Sequence, residues 1–114
     1  MKYSEVNDHD RPWYAVKSLF FDEDNKLYEE RTIILSAESQ EQALDKAQKE
    51  AEQYASDVGV QYKGYSETFH LFDETLDDGV EIFSVMRPSK LDANAYIKHF
   101  IATGEEIGIE RELK

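Results

Sequence analysis

The sequence predicts an α+β domain of order β-β-α-β-β-α, built as a mainly antiparallel four-stranded sheet with both helices on one face. Three observations lead there. Two apolar runs near the N-terminus are separated by a short polar cluster, which is the pattern of a β-hairpin. An alanine-rich stripe at helical spacing follows, with cap signals at both ends. A second pair of apolar runs and a second capped helix then repeat the order in looser form.

Residues 1–12 are polar, end in Pro12 and read as a flexible arm, leaving 13–114 as a single domain. Trp13 to Phe21 is rich in aromatic and aliphatic residues and suits a strand. Asp22-Glu23-Asp24-Asn25-Lys26 supplies turn chemistry. In the next strand, Leu27 to Leu35, the alternation places Leu27, Glu29, Arg31, Ile33 and Leu35 on one face. Ser39 and Gln42 stand in the capping-box relation, and Ala43, Leu44, Ala47, Ala51, Tyr54, Ala55 and Val58 form the helical stripe. Gly59 falls where a left-handed cap ends a helix. A stripe made mostly of alanine predicts a helix lying close against the sheet.

Tyr62 to Phe72 reads as a third strand, with Gly64 marking a bulge or a close backbone approach. Asp78-Gly79 makes a turn, Val80 to Met86 reads as a fourth strand, and Pro88 ends pairing because it has no N–H. Asp92 caps a second helix that carries Ala95, Tyr96, His99 and Phe100 toward the core and stops at Gly104. Ile107, Ile109, Arg111 and Leu113 alternate with polar residues, as a short C-terminal fifth strand or a frayed tail would.

Composition narrows the chemistry. The chain has 114 residues, 40% of them hydrophobic, and a formal net charge of −12. So acidic a surface repels phosphates and anionic lipid, so neither nucleic acid nor membrane is an expected partner. Cysteine is absent, which removes disulfides and thiolate chemistry. No stretch has the apolar length of a signal peptide or a membrane span, and a cytoplasmic protein is the expectation. The sequence lacks a nucleophile elbow, a Walker loop, a dinucleotide glycine run and a zinc-protease motif, and no cofactor is expected.

The acid clusters around Asp22 and Asp73 do not carry the glycine and glutamate spacing of a calcium loop. Nor do His9, His70 and His99 stand at metal-ligand spacing, so no metal site is expected. The candidate binding residues are Trp13, Tyr14, Tyr65, His70 and Glu81. Trp13-Tyr14 beside the acidic turn Asp78-Gly79-Val80-Glu81 has the chemistry to hold a cationic or sugar-like ligand. The plainer explanation is a strand anchor, a turn and a solvated carboxylate. His70 is expected to face away from the core, where Glu67 or Glu81 would be its acid–base partner; no residue is singled out as catalytic.

Trp13-Tyr14-Ala15-Val16-Lys17 at the head of a strand resembles the start of an uncharacterised bacterial family, domain of unknown function 4288. The likeness continues through Tyr28-Glu29-Glu30-Arg31, Ala37-Glu38-Ser39, Gly64-Tyr65 and Asp78-Gly79-Val80-Glu81-Ile82-Phe83-Ser84, and reaches Tyr96. The resemblance implies a small bacterial or phage protein of the same element order. It brings no reaction, ligand or catalytic residue with it.

The expected function is therefore a small acidic protein-interaction or regulatory module that uses the open face of its sheet to bind a protein partner or a second copy of itself. The alternative is a small-ligand-binding protein or enzyme with a site on the sheet face near His70.

Overall fold

The computed structural model describes residues 12–71 and 76–106. They fall into two compact units that divide between Ser84 and Val85.

The first unit contains three strands and a helix: β1 (Trp13–Asp22), β2 (Leu27–Ser36), α1 (Gln40–Val58) and β3 (Gln61–His70). The strand order is β2-β1-β3 with both pairings antiparallel, so β1 is the centre of the sheet. The β1–β2 turn is fixed by Asp22. Its carboxylate accepts hydrogen bonds from the backbone N–H groups of Asp24 (3.1 Å) and Asn25 (3.2 Å) and from the Asn25 side chain (2.8 Å). These bonds hold the Asp22 carboxyl below the usual carboxylate range, the Asn25 side chain contributing most. Lys26 closes the turn in the left-handed region at φ 56°.

Helix α1 starts and stops where the cap residues put it. The Ser39 hydroxyl accepts the Gln42 backbone N–H, and the Gln42 side chain reaches back to the Glu38 N–H. At the other end Gly59 takes φ 80°, and its N–H bonds to the Ala55 carbonyl at 2.9 Å. Between the caps, Ala43, Ala47, Ala51 and Ala55 are buried. The helix contributes only methyl groups along this stripe, which lets it sit close over the side chains of the sheet. Tyr14 packs with Ala37, Ala43 and Leu35 at one end of the contact. Phe20 packs with Ala51, Ala55, Tyr54, Val60 and Tyr62 at the other.

In β3 the pairing with β1 jumps from Ser18↔Ser66 to Phe20↔Tyr62, so residues 63–65 face Leu19 alone. Gly64 lies in this bulge at φ 77°, a conformation glycine adopts without strain.

The expected fourth strand is absent. Residues 80–86 form no ladder, and the sheet of the described residues has three strands. A strand exists through its partner, and alternation alone does not supply one. Here the segment touches the sheet through a side chain, with the Phe83 ring 5.7 Å from that of Phe69. The residues read as a fifth strand, 107–113, lie outside the described residues.

The second unit begins at Val85. Asp92 does cap a helix, accepting the Ala95 N–H at 2.9 Å. That helix, α2 (Ala93–Tyr96), is one turn long and continues as a π-helical turn over Ile97–Ile101, closed by an Ala102 N–H to Ile97 carbonyl bond of 2.7 Å. The core expected around His99 and Phe100 is not formed by either residue, since both are exposed. Phe100 instead carries the Arg87 guanidinium on its ring at 5.1 Å, lies tilted against Tyr96 and meets His99 edge-on. Beyond it Glu106 accepts the Thr103 and Gly104 backbone N–H groups and the Thr103 hydroxyl. These bonds pull its carboxyl down to about 2.

Because α1 rests on alanine, added volume has nowhere to go. Ala51→Leu is expected to cost about 1–3 kcal/mol by overpacking, and Phe20→Ala about 3–5 kcal/mol by opening a cavity. Both are read from denaturant midpoints, and an Ala51→Leu protein as stable as the parent would contradict the close contact.

Candidate functional site

The paired positions decide which side chains share a side of the sheet. Tyr14, Val16, Ser18 and Phe20 of β1 face α1. Trp13, Ala15, Lys17, Leu19 and Phe21 face away, alongside Ile34, Thr32, Glu30 and Tyr28 of β2 and Phe69 and Glu67 of β3. Two surfaces result, and each has its own chemistry.

The outer surface is apolar at both ends and ionic across the middle. At one end Ala15 is completely buried, flanked by Ile34 and Phe69, with Phe83 against the Phe69 ring. At the hairpin end the Phe21 and Tyr28 rings lie 4.7 Å apart. Between them the Lys17 ammonium sits 2.7 Å from Glu30 and 3.9 Å from Glu67, a bridge spanning all three strands. Such exposed pairs stabilise by at most about 1 kcal/mol, but they fix where the charge lies.

On the helix side a polar cluster ties β2 to α1. The Arg31 guanidinium donates two hydrogen bonds to the Glu50 carboxylate, both 2.7 Å, and lies 3.8 Å over the Tyr54 ring. The Tyr54 hydroxyl in turn donates to Glu29 at 2.8 Å. Arg31 holds the Glu50 carboxyl below its ordinary value, chiefly through these hydrogen bonds, and Glu50 raises Arg31 in the same way. The bond to Glu29 raises the Tyr54 phenol. Deeper in, Ser18, Ser66 and Tyr62 form a chain of hydroxyls with contacts of 2.7 Å. The alternation of β2 already places Glu29 and Arg31 on one face with Ile33 and Leu35. What it does not contain is the helical partner, which only the docking of α1 brings opposite.

The candidate residues from the sequence do not converge. Trp13 and Tyr14 are neighbours in a strand and so point to opposite sides. Tyr14 is buried beneath α1, where it stacks on His70 with ring centroids 4.9 Å apart. His70 pairs with Tyr14 and shares its side, while Glu67, one of the two acids considered for it, faces the other. Tyr65 is exposed in the bulge and donates its hydroxyl to Glu67 at 3.1 Å, which raises its phenol. Glu81 is exposed. Among the described residues no group of three or more His, Asp or Glu side chains is disposed to hold a metal ion. The Asp22 oxygens are engaged by their own turn.

A family model described as a domain of unknown function (DUF4288) matches residues 3–84. The chain belongs to that family. No curated protein and no solved structure matches the chain. The DUF4288 match ends on Ser84, where the first compact unit also ends, and Tyr96 lies beyond it. Charge divides at the same point: residues 1–84 hold 8 Lys and Arg against 20 Asp and Glu, whereas 85–114 hold 5 of each. The whole excess of negative charge thus belongs to the DUF4288 part. No helix among the described residues is long and apolar enough to cross a membrane.

The Arg31–Glu50 pair makes stability depend on acid. Glu50 titrates lower in the folded protein than in the unfolded chain, so its contribution is complete above the unfolded carboxylate value and disappears as pH falls through the folded one. Denaturant midpoints compared between pH 7 and pH 3 should fall further for the parent than for Glu50→Gln. The expected difference is up to about 1 kcal/mol, given that the pair is partly exposed. Equal losses in the two proteins would remove the pair as a cause.

Proposed function

We propose that this DUF4288 protein is a small protein-interaction or regulatory module whose contact surface is the outer side of its sheet. The observation that carries this proposal is the apolar material standing there in reach of solvent. Tyr28 is 67% exposed and Ile34 40%, beside the half-buried Leu19 and Phe21. The helix-covered side supports the fold. On the other side the part toward the hairpin, away from the end where Ala15 is buried and Phe83 lies on Phe69, is left for a partner. The partner expected from the charge is basic, since all of the −12 resides in residues 1–84.

The alternative of a ligand site near His70 takes support from the Tyr14–His70 stack alone. With Glu67 on the far side of the sheet, only Glu81 is left of the two carboxylates considered for the acid–base version.

Leu19 and Phe21 lie on the central strand, so a partner reaches them only through the face. The double variant Leu19→Lys/Phe21→Lys should keep the far-UV circular dichroism of the parent and lose about 1–2 kcal/mol of stability. Affinity capture from host extract should then recover at least tenfold less of any partner that the parent retains at low salt. Retention unchanged by the double variant, or a parent that captures nothing, would reject the proposal.

A further inference from the structure

The sheet ends on two unlike edges. On β3 the bulge at residues 63–65 breaks the line of the outer edge, and Gly64 turns the backbone out of register. On β2 ten residues run without a break, with neither glycine nor proline among them. Among the described residues no strand lies beyond β2. Its outward N–H and C=O groups form half of a ladder.

Charged side chains on an edge strand ordinarily discourage further pairing. In β2 each of the three is held by this protein. Glu29 accepts the Tyr54 hydroxyl, Glu30 holds Lys17, and Arg31 is clamped on Glu50. All three are drawn to the faces of the sheet, and among the described residues no strand covers the edge. The stretch is still acidic on balance: residues 22–31 contain Asp22, Glu23, Asp24, Glu29 and Glu30 against Lys26 and Arg31, and the apolar run Ile33-Ile34-Leu35 follows. A second copy brings the same acids and the same net charge, so charge disfavours it as the occupant.

We infer that β2 is a docking edge for an extended cationic segment of a partner protein, added antiparallel as a fourth strand. Antiparallel addition sets the first, apolar half of that segment beside Ile33–Leu35 and its Lys- or Arg-bearing second half beside Glu29 and Glu30. The inference rests on the protein-interaction proposal and places a main-chain contact at the edge, where the proposal itself invokes only the face.

The test uses the full chain and a synthetic peptide as long as β2, alternating Val and Thr in its first half and Val and Lys in its second. Backbone amide shifts on titration should centre on residues 27–36. Replacing Lys by Glu, or N-methylating alternate backbone nitrogens while keeping the charge, should each weaken binding at least about tenfold. Equal binding of the N-methylated peptide would show charge attraction without strand addition and overturn the inference. Shifts centred on Trp13, Lys17 and Phe69 would also overturn it while supporting the face. Absence of binding at millimolar peptide overturns the edge contact alone, because Leu19→Lys/Phe21→Lys tests the face independently.

Discussion

The close seating of α1 on β1 is the contact from which the other features of the DUF4288 domain follow. Ala43, Ala47, Ala51 and Ala55 present only methyl groups, so the helix lies near enough for Tyr14 and Phe20 to fill the space at the two ends of its stripe. That spacing also sets the reach of Arg31. A larger residue at any of these alanines would lift the helix and draw Glu50 and Tyr54 away from the strand they clamp. The core is therefore thin and exacting, and the polar cluster beside it acts as its calibrated edge. The Arg31–Glu50 pair is itself partly exposed, so it adds at most about 1 kcal/mol and serves mainly to fix where the helix sits on the strand.

Local signals in the sequence located every element whose structure is set locally. The hairpin, both α1 caps and the Asp92 cap are each decided within a few residues, by Asp22, Ser39 with Gln42, Gly59 and Asp92. Gly64 marked the bulge for the same reason. The segment Val80 to Met86 failed as a strand because its pattern specifies a preference and not a partner. The second helix shortened because Ile97 to Ile101 takes π geometry and leaves His99 and Phe100 exposed. Nothing in the spacing of those residues encodes either outcome.

The site was less legible than the fold. Trp13, Tyr14, Tyr65, His70 and Glu81 are chemically suggestive as a list, but a site is a matter of which side of the sheet each residue faces. One pairing, Tyr14↔His70, carries the imidazole to the helix side and away from Glu67. The Glu29–Tyr54 and Arg31–Glu50 contacts were hidden for the complementary reason, since they join residues 19 and 25 positions apart in the chain. Periodicity reports the face on which a side chain lies; it cannot report what will be laid over that face.

The inequality of the two sheet edges also bears on stoichiometry. Open sheets with two regular edges can add strands on both sides, and every addition regenerates an edge like the one it consumed. Here the irregularity at Gly64 gives the sheet a stop at one end. Growth by strand pairing then has a single direction and a first step with no equivalent second. Among the described residues the sheet thus offers strand addition one regular edge, that of β2, where an open sheet with two regular edges offers two.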